Sequence, residues 1–255
     1  MSNAPQRAFD LHAGDYDDTW GADPVAIALR RRVQALMERW LPPGGRVLDL
    51  GCGTGVDAAW LTSKGHVVTA VDGSAAMVAR ATRATPGLRG LHLDASDPGL
   101  LQGEVFDAAV LDFGVLNCLD LRVTVASLAR LLRPGGVALL VFMPRVHPAA
   151  LLRDLARGRW SEARGRLARL QQVPVHGQPV RTQYLHPGEV VAALAPTFVL
   201  RDQRSLGALL PPPRSRLAHT RLLGALNGLD TLCAGWPALR DLGDHVAVVA
   251  QRRGA

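Results

Sequence analysis

The stretch Arg46-Val47-Leu48-Asp49-Leu50-Gly51-Cys52-Gly53-Thr54-Gly55 constrains this chain more than any other. Val47, Leu48 and Leu50 form a short apolar run of the kind a buried parallel strand requires. Three glycines spaced two apart follow, and Val56 to Ser63 then reads as a helix. A strand that passes through glycines into a helix N-terminus brings backbone N–H groups close to a ligand with no Cβ in the way. The dipole of that helix favours an anionic group such as a carboxylate. The stretch is a nucleotide-type binding turn.

Glycine spacing narrows the choice of nucleotide. A dinucleotide fingerprint runs G-x-G-x-x-G, whereas here the third glycine comes one residue early and Val56 stands where that pattern wants glycine. No G-x-x-x-x-G-K-[ST] run is present, and Lys64 lies well past the turn, which excludes a P-loop. Asp49 sits inside the motif. A second strand, Val67 to Val71, ends in Asp72, well placed to grip ribose hydroxyls. A third, Gly90 to Leu93, ends in Asp94-Ala95.

Four motifs, each at a strand end and in this order, resemble the class I S-adenosylmethionine-dependent methyltransferases: V-L-D-L-G-C-G-T-G, A-V-D-G-S, L-D-A-S and F-D-A-A-V-L-D-F-G-V-L-N. Among these the sequence is most similar to the small-molecule enzymes of the quinone-biosynthesis type. The likeness covers residues 8 to 143 by motif and the rest by layout. It implies S-adenosyl-L-methionine as cofactor, S-adenosyl-L-homocysteine as product, no metal, and an α/β Rossmann-like sheet of seven strands. That sheet is mostly parallel with the last strand antiparallel, carries helices on both faces and has a helical cap. It also implies residue roles. Asp49, Gly51, Cys52, Gly53 and Gly55 cradle the cofactor, Asp72 accepts from its ribose, and Gly73 and Ser74 lie beside the adenosine. Asp94 and Ala95 meet the adenine edge, and Asp112 and Phe113 face the methyl donor. Phe9-Asp10 and Tyr16-Asp17 match the F-D-x-x-A-x-x-Y-D entry segment of such proteins, so Tyr16 closes the pocket with Trp20 as a wall, or both anchor a terminal helix.

The loop after the fourth strand, Asp112 to Leu119, faces donor and acceptor alike, because ligands of open parallel sheets lie beyond the carboxyl ends of the strands. It lacks the N-P-P-Y and D-P-P-Y signatures of base methylation, and Cys118 lacks the preceding proline of a cytosine C5 nucleophile. Asn117 either orients an acceptor or closes a helix N-terminus. Helices are expected from Pro24 to Trp40, Ser74 to Arg83 and Val123 to Leu132, and a fifth strand from Val137 to Met143. The chain then departs from the common core. Ala149 to Gln171 reads as helical with Leu151, Leu152, Leu155, Trp160, Leu167 and Leu170 inward, a segment suited to roof an acceptor pocket. Arg145 and His147 are the candidate substrate contacts. His147 is the candidate general base, since an imidazole titrates near neutrality. A short strand (Val180 to Tyr184), a helix to Leu194, a sixth strand (Phe198 to Leu210), a helix (Leu217 to Leu232) and a seventh strand (Gly243 to Ala250) complete the layout. The organisation expected is a cofactor core at 1–143, a cap at 144–180, and returning strands at 181–255 with an inserted helix at about 214–235.

Composition sets outer bounds. A chain of 255 residues, 48% hydrophobic, can bury one sizeable α/β core. No apolar run reaches membrane-spanning length, and Met1 to Trp20 is too acidic and polar for a signal peptide. Three scattered cysteines form no disulfide framework or zinc pattern, which suits a reducing cytoplasm. The formal charge of +7 raises a nucleic-acid partner. With Lys64 the single lysine among 29 basic residues, the arginine bias is chain-wide, and it is discounted. The expectation is methyl transfer to the O, N or C atom of a small, partly apolar metabolite by a monomer or homodimer. The alternatives are a non-catalytic, cofactor-binding regulator and an RNA or protein methyltransferase.

Overall fold

The computed structural model describes residues 9–10, 21–166, 168–175, 177–212 and 215–254. Tyr16 and Trp20 lie outside them. Asp23 accepts hydrogen bonds from the backbone N–H of Val25 and Ala26, and with Pro24 at the first position this starts helix α1 (Pro24–Trp40). The core then alternates strand and helix: β1 (Arg46–Leu50), α2 (Val56–Ser63), β2 (Val67–Asp72), α3 (Ala75–Ala84), β3 (Arg89–His92), β4 (Phe106–Leu111), the short α4 (Val115–Cys118), α5 (Leu121–Leu131) and β5 (Leu132–Phe142). The first insertion follows, with α6 (Pro148–Ala156), α7 (Trp160–Arg166), β6 (Leu170–Val175) and β7 (Gln178–Gln183). Then come α8 (Pro187–Leu194), β8 (Phe198–Leu206), α9 (Leu222–Cys233) and β9 (His245–Arg252).

Seven strands form one sheet in the order β3-β2-β1-β4-β5-β9-β8. Pairs from β3 to β5 are parallel, and β9 runs antiparallel to both neighbours. The expected seven-stranded, mostly parallel fold with an antiparallel last strand is present. Strand alternation splits the core between the two faces. Leu48, Leu111, Leu140, Phe142 and Val248 pack with α5 and α8 on one face. Val47, Val110, Leu139, Val141 and Val249 pack with α1 and α2 on the other. The expected helices on both faces are therefore in place.

The cap departs from expectation. The helix expected over Ala149 to Gln171 is broken at Gly158, whose φ of 67° suits glycine alone, into α6 and α7. From Leu170 the chain extends instead into a separate hairpin, β6 paired antiparallel with β7. The cap is thus part helix and part hairpin. Leu152, Trp160 and Leu170, expected to face inward, are exposed. Nor does the sixth strand reach Leu210, because Gly207 turns at φ 79° just past Leu206. The helix expected from Leu217 begins at Leu222, after a single 3-10 turn at Arg216–His219.

Candidate active site

The carboxyl ends of β1, β2 and β4 meet at the glycine turn. Gly51 and Cys52 both donate to the Val71 carbonyl, at 2.7 and 3.0 Å, which ties the turn to β2. Gly51, Gly53 and Gly55 all have positive φ. A Cβ on Gly51 would collide with the Val115 side chain, and one on Gly55 would lie 2.6 Å from Ala81 Cβ. Gly53 differs. Nothing lies within 4 Å of where its Cβ would stand, so this side of the turn is an open cradle.

Asp72, at the end of β2, accepts from Gly53 N–H at 2.9 Å and from Ser74 N–H at 2.8 Å. Burial raises its pKa, and those two hydrogen bonds oppose the rise. Gly73 is held through its carbonyl, 3.1 Å from His92 Nε2. Ser74 is fully buried and caps α3 by accepting from Met77 N–H at 3.1 Å. Its hydroxyl lies 2.6 Å from Asp10 Oδ1, which also accepts from Ala76 N–H. Asp10 is thus bonded to the N-terminus of α3. Asp94 accepts from both the backbone and the hydroxyl of Ser96, while Ala95 packs on the apolar core.

Behind the turn lies a group of carboxyls that sequence reasoning saw only in part. Asp49 is 1% exposed, and neither of its oxygens has a hydrogen-bond partner. Burial, with the charges of Asp57 and Asp72, pushes its carboxyl up to about 8, against the pull of Arg30. Asp112 is also buried, and its Oδ2 is unpartnered. Burial first, then Asp57 and Asp49, hold it well above the usual carboxylate range. Asp57, in the first turn of α2, is instead compensated by Arg30 and by Gln34 Nε2 at 3.1 Å, both from α1. Arg30 also stacks over the Phe113 ring, 4.9 Å from its centroid. Phe113 has φ 42°, the one positive value among the described non-glycine residues. Asp57, Arg30 and Gln34 were missed. Their signal was the regular helical spacing of α1, which gave no hint that its polar side faces the cofactor turn.

At the far end of β4, Asn117 is buried and its amide clamps three chain segments. It donates to the Met143 and Gln183 carbonyls at 2.9 and 2.6 Å and accepts from Met143 N–H at 2.9 Å. Arg145 is half-buried, with its N–H bonded to the Leu185 carbonyl at 3.2 Å. His147 begins α6, and its Nδ1 lies 3.5 Å from Asp244 Oδ1. The other Asp244 oxygen meets His245 Nδ1 at 2.9 Å, and the His245 ring packs edge-on against Phe113. This link from the cap to the start of β9 was not read from the sequence, because Asp244 and His245 sit about a hundred residues from His147. Among the described residues no group of three or more His, Cys, Asp or Glu side chains could hold a metal ion, and no helix is long and apolar enough to cross a membrane.

The arrangement suits an adenosylated amino acid. A buried carboxyl without a partner (Asp49) and a second with one free oxygen (Asp112) fit a cation, the open face of Gly53 fits a bulky group pressed against backbone, and a carboxylate ends β2. Strand order, glycine turn and acidic strand end together define the Rossmann-like methyltransferase class of α/β proteins. Residues 48–140 match the methyltransferase domain family. A demethylmenaquinone methyltransferase of Corynebacterium urealyticum is 33% identical over 149 residues, 55% of this chain and 60% of the relative. A 2-phytyl-1,4-naphtoquinone methyltransferase of Synechococcus elongatus is 33% identical over 165 residues, 58% of this chain and 67% of the relative. The chain spans 60%, 53% and 67% of the length of the first three curated relatives it matches. Among solved structures, the 1,6-didemethyltoxoflavin-N1-methyltransferase of Burkholderia thailandensis, with bound 1,6-didemethyltoxoflavin and S-adenosylhomocysteine, superposes with a TM-score of 0.60 at 20% identity, covering 98% of this chain and 88% of its own. An S-adenosylmethionine-dependent methyltransferase of Mesorhizobium loti gives 0.56 at 19% identity, covering 88% and 98%. At such identities the superpositions show the fold. The chain belongs to the class I S-adenosylmethionine-dependent methyltransferase family.

Proposed function

We propose that the protein methylates a small, partly apolar ring metabolite in the cytoplasm, with S-adenosylmethionine as donor and without a metal. The observation that carries this reading is the buried, unpartnered Asp49 carboxyl beside the open face of Gly53. When bound, the cofactor supplies a methyl group already activated on a sulfonium. Asp49 and Asp112 face its cationic end, Asp72 with Gly73 and Ser74 holds the ribose, and Asp94 and Ala95 border the adenine. Gly51, Cys52 and Gly55 shape the turn, Phe113 lines the donor pocket, and Tyr16 closes it.

The remaining task is to hold an acceptor lone pair in line with the donor in a water-poor space. Such positioning can lower a barrier by about 7–11 kcal/mol. Residues 144–180 roof that space, and Arg145 lies at its edge. His147, steadied by Asp244, receives the proton when the acceptor is a hydroxyl. Asn117 holds the cap rather than the acceptor, because its amide is fully engaged. Support for a ring acceptor comes from the names of two curated relatives, a demethylmenaquinone methyltransferase and a 2-phytyl-1,4-naphtoquinone methyltransferase.

The test is calorimetry with S-adenosylhomocysteine, followed by methyl transfer from labelled S-adenosylmethionine to a panel of naphthoquinols, phenols and heterocycles. Binding at one site and label in an organic product are expected. Absence of binding by the folded protein would overturn the reading.

A further inference from the structure

The residues least explained by the methyltransferase core are the large apolar side chains left facing water. Two segments rise from the carboxyl end of the sheet. One leaves β5 at Phe142, and the other runs from the end of β8 at Leu206 back to the start of β9 at His245. The first exposes Leu152 and Trp160, each 66% exposed. The second carries a stripe along α9, Leu222, Ala225, Leu229 and Leu232, that continues to Trp236 in the following turn. These positions recur at alternating spacings of three and four, which puts them on one helical face. Every one is exposed, Leu232 to 77%. The opposite face of α9 is already committed: Asp230 there is buried against Arg32 and the N–H groups of Gly207 and Leu209.

Among the described side chains, the exposed charges around these apolar groups have one sign. Arg157, Arg159, Arg164, Arg221 and Arg240 are exposed on the same two segments. The carboxylates described there are buried or half-buried, and each is answered within the chain. Asp154 bonds Arg153, Asp230 bonds Arg32, Asp241 bonds Gln203, and Asp244 bonds His245. Leucine and tryptophan ringed by arginine, with no exposed carboxylate described between them, is the pattern of a surface that beds into the headgroup region of an anionic bilayer. A second copy of this chain fits worse, because a two-fold contact would set arginine against arginine with no exposed carboxylate among the described side chains to meet them.

We propose that these two insertions dock the protein on an anionic lipid surface, with the mouth of the acceptor site turned toward the membrane. This deepens the proposed function and rests on it only in the sense that a lipid-borne acceptor would then enter without crossing water. The docking itself is a separate claim about this surface.

The full chain is floated with vesicles of phosphatidylcholine, alone or with about a third phosphatidylglycerol. Binding to the mixed vesicles, weakened by salt and much poorer on the neutral ones, is expected. Leu229→Glu combined with Leu232→Glu should weaken partitioning by roughly tenfold or more, and so should Leu152→Glu combined with Trp160→Glu on the other segment. Both variants should keep wild-type affinity for S-adenosylhomocysteine, which also reports that they fold. No binding to mixed vesicles would overturn the proposal, as would binding that both pairs of substitutions leave intact. So would a dimer in ultracentrifugation that the α9 pair dissolves while vesicles are ignored, or tight RNA binding in place of vesicle binding. Loss of homocysteine-cofactor binding in the wild type would count against the enzymatic reading alone and leave the vesicle result standing.

Discussion

Arg30 on α1 closes its guanidinium on the Asp57 carboxylate of α2, so that one of the three carboxyls packed behind the glycine turn is neutralised within the chain. Asp49 and Asp112 remain, buried and incompletely bonded, behind the glycine turn. Removing one partner of a buried ion pair leaves the other uncompensated, at a typical cost of about 3–5 kcal/mol. Arg30 keeps 26% of its side chain exposed, so the low end applies: Arg30→Met should destabilise the protein by about 3 kcal/mol in denaturant unfolding. The double change Arg30→Met with Asp57→Leu should recover much of that loss.

The pH dependence follows from Asp49. Its carboxyl holds a proton up to about 8 in the folded protein but releases it near 3.8 when unfolded. Between those values the native state binds more protons than the unfolded one. This group's contribution therefore makes the ligand-free protein less stable as pH rises through that window. Asp49→Asn should flatten that fall and stabilise the ligand-free protein most at the alkaline end. An α-ammonium brought next to Asp49 favours the ionised carboxylate. S-adenosylhomocysteine binding near neutrality should then release a proton, seen as a binding heat that changes with the ionisation heat of the buffer. Asp49→Asn should remove that dependence and weaken binding.

Two neighbouring glycines separate steric from ligand effects. Gly51→Ala meets the Val115 side chain at a φ of 83° and should reduce stability as well as binding. Gly53→Ala meets no protein atom. It should cost about 1–2 kcal/mol of folding stability for its left-handed backbone, yet lose cofactor affinity out of proportion. Thermal unfolding and calorimetry on both variants separate the two cases.

Asp72→Ala removes a carboxylate that also accepts two turn N–H groups. Cofactor affinity should fall by about 1–3 kcal/mol in calorimetry, roughly 5- to 150-fold. Asp72→Asn retains an acceptor oxygen and should fall less.

Asn117→Ala cuts three hydrogen bonds between α4, the end of β5 and β7. Leaving the half-buried Met143 and Gln183 groups without partners costs up to about 1–3 kcal/mol each. Stability should drop and protease cleavage within 144–185 should rise, while cofactor affinity stays near wild type. Unchanged cleavage would show that the amide is not the clamp.

The glycine turn and the strands around it were legible because they are local in sequence. A strand, three glycines and a helix are contiguous, and Asp72 ends the next strand, so spacing gave the turn, while the seven-stranded sheet came from the resemblance and its strand order only from the structure. The carboxyl group behind the turn was half-hidden for the opposite reason. Asp57 and Arg30 lie in separate helices whose polar residues resemble any solvated face until the helices are packed. The cap misled in a different way. Leu152 and Trp160 satisfy a helical pattern, but apolar spacing does not say which face meets the core, and here these two meet water. The strand β6 escaped notice because Leu170 continued the helical pattern while its alternation with Val173 and Val175 is interrupted by glutamines and Pro174.

The central claim is that Asp49 and Asp72 flank one adenosylated amino acid across the glycine turn. A crystal structure of the full chain with S-adenosylhomocysteine tests it most directly. The account predicts the ribose hydroxyls on Asp72, the amino group on the Asp49 side and the ligand lying over Gly53. A ligand bound elsewhere, or one that leaves Asp49 and Asp72 untouched, would contradict it.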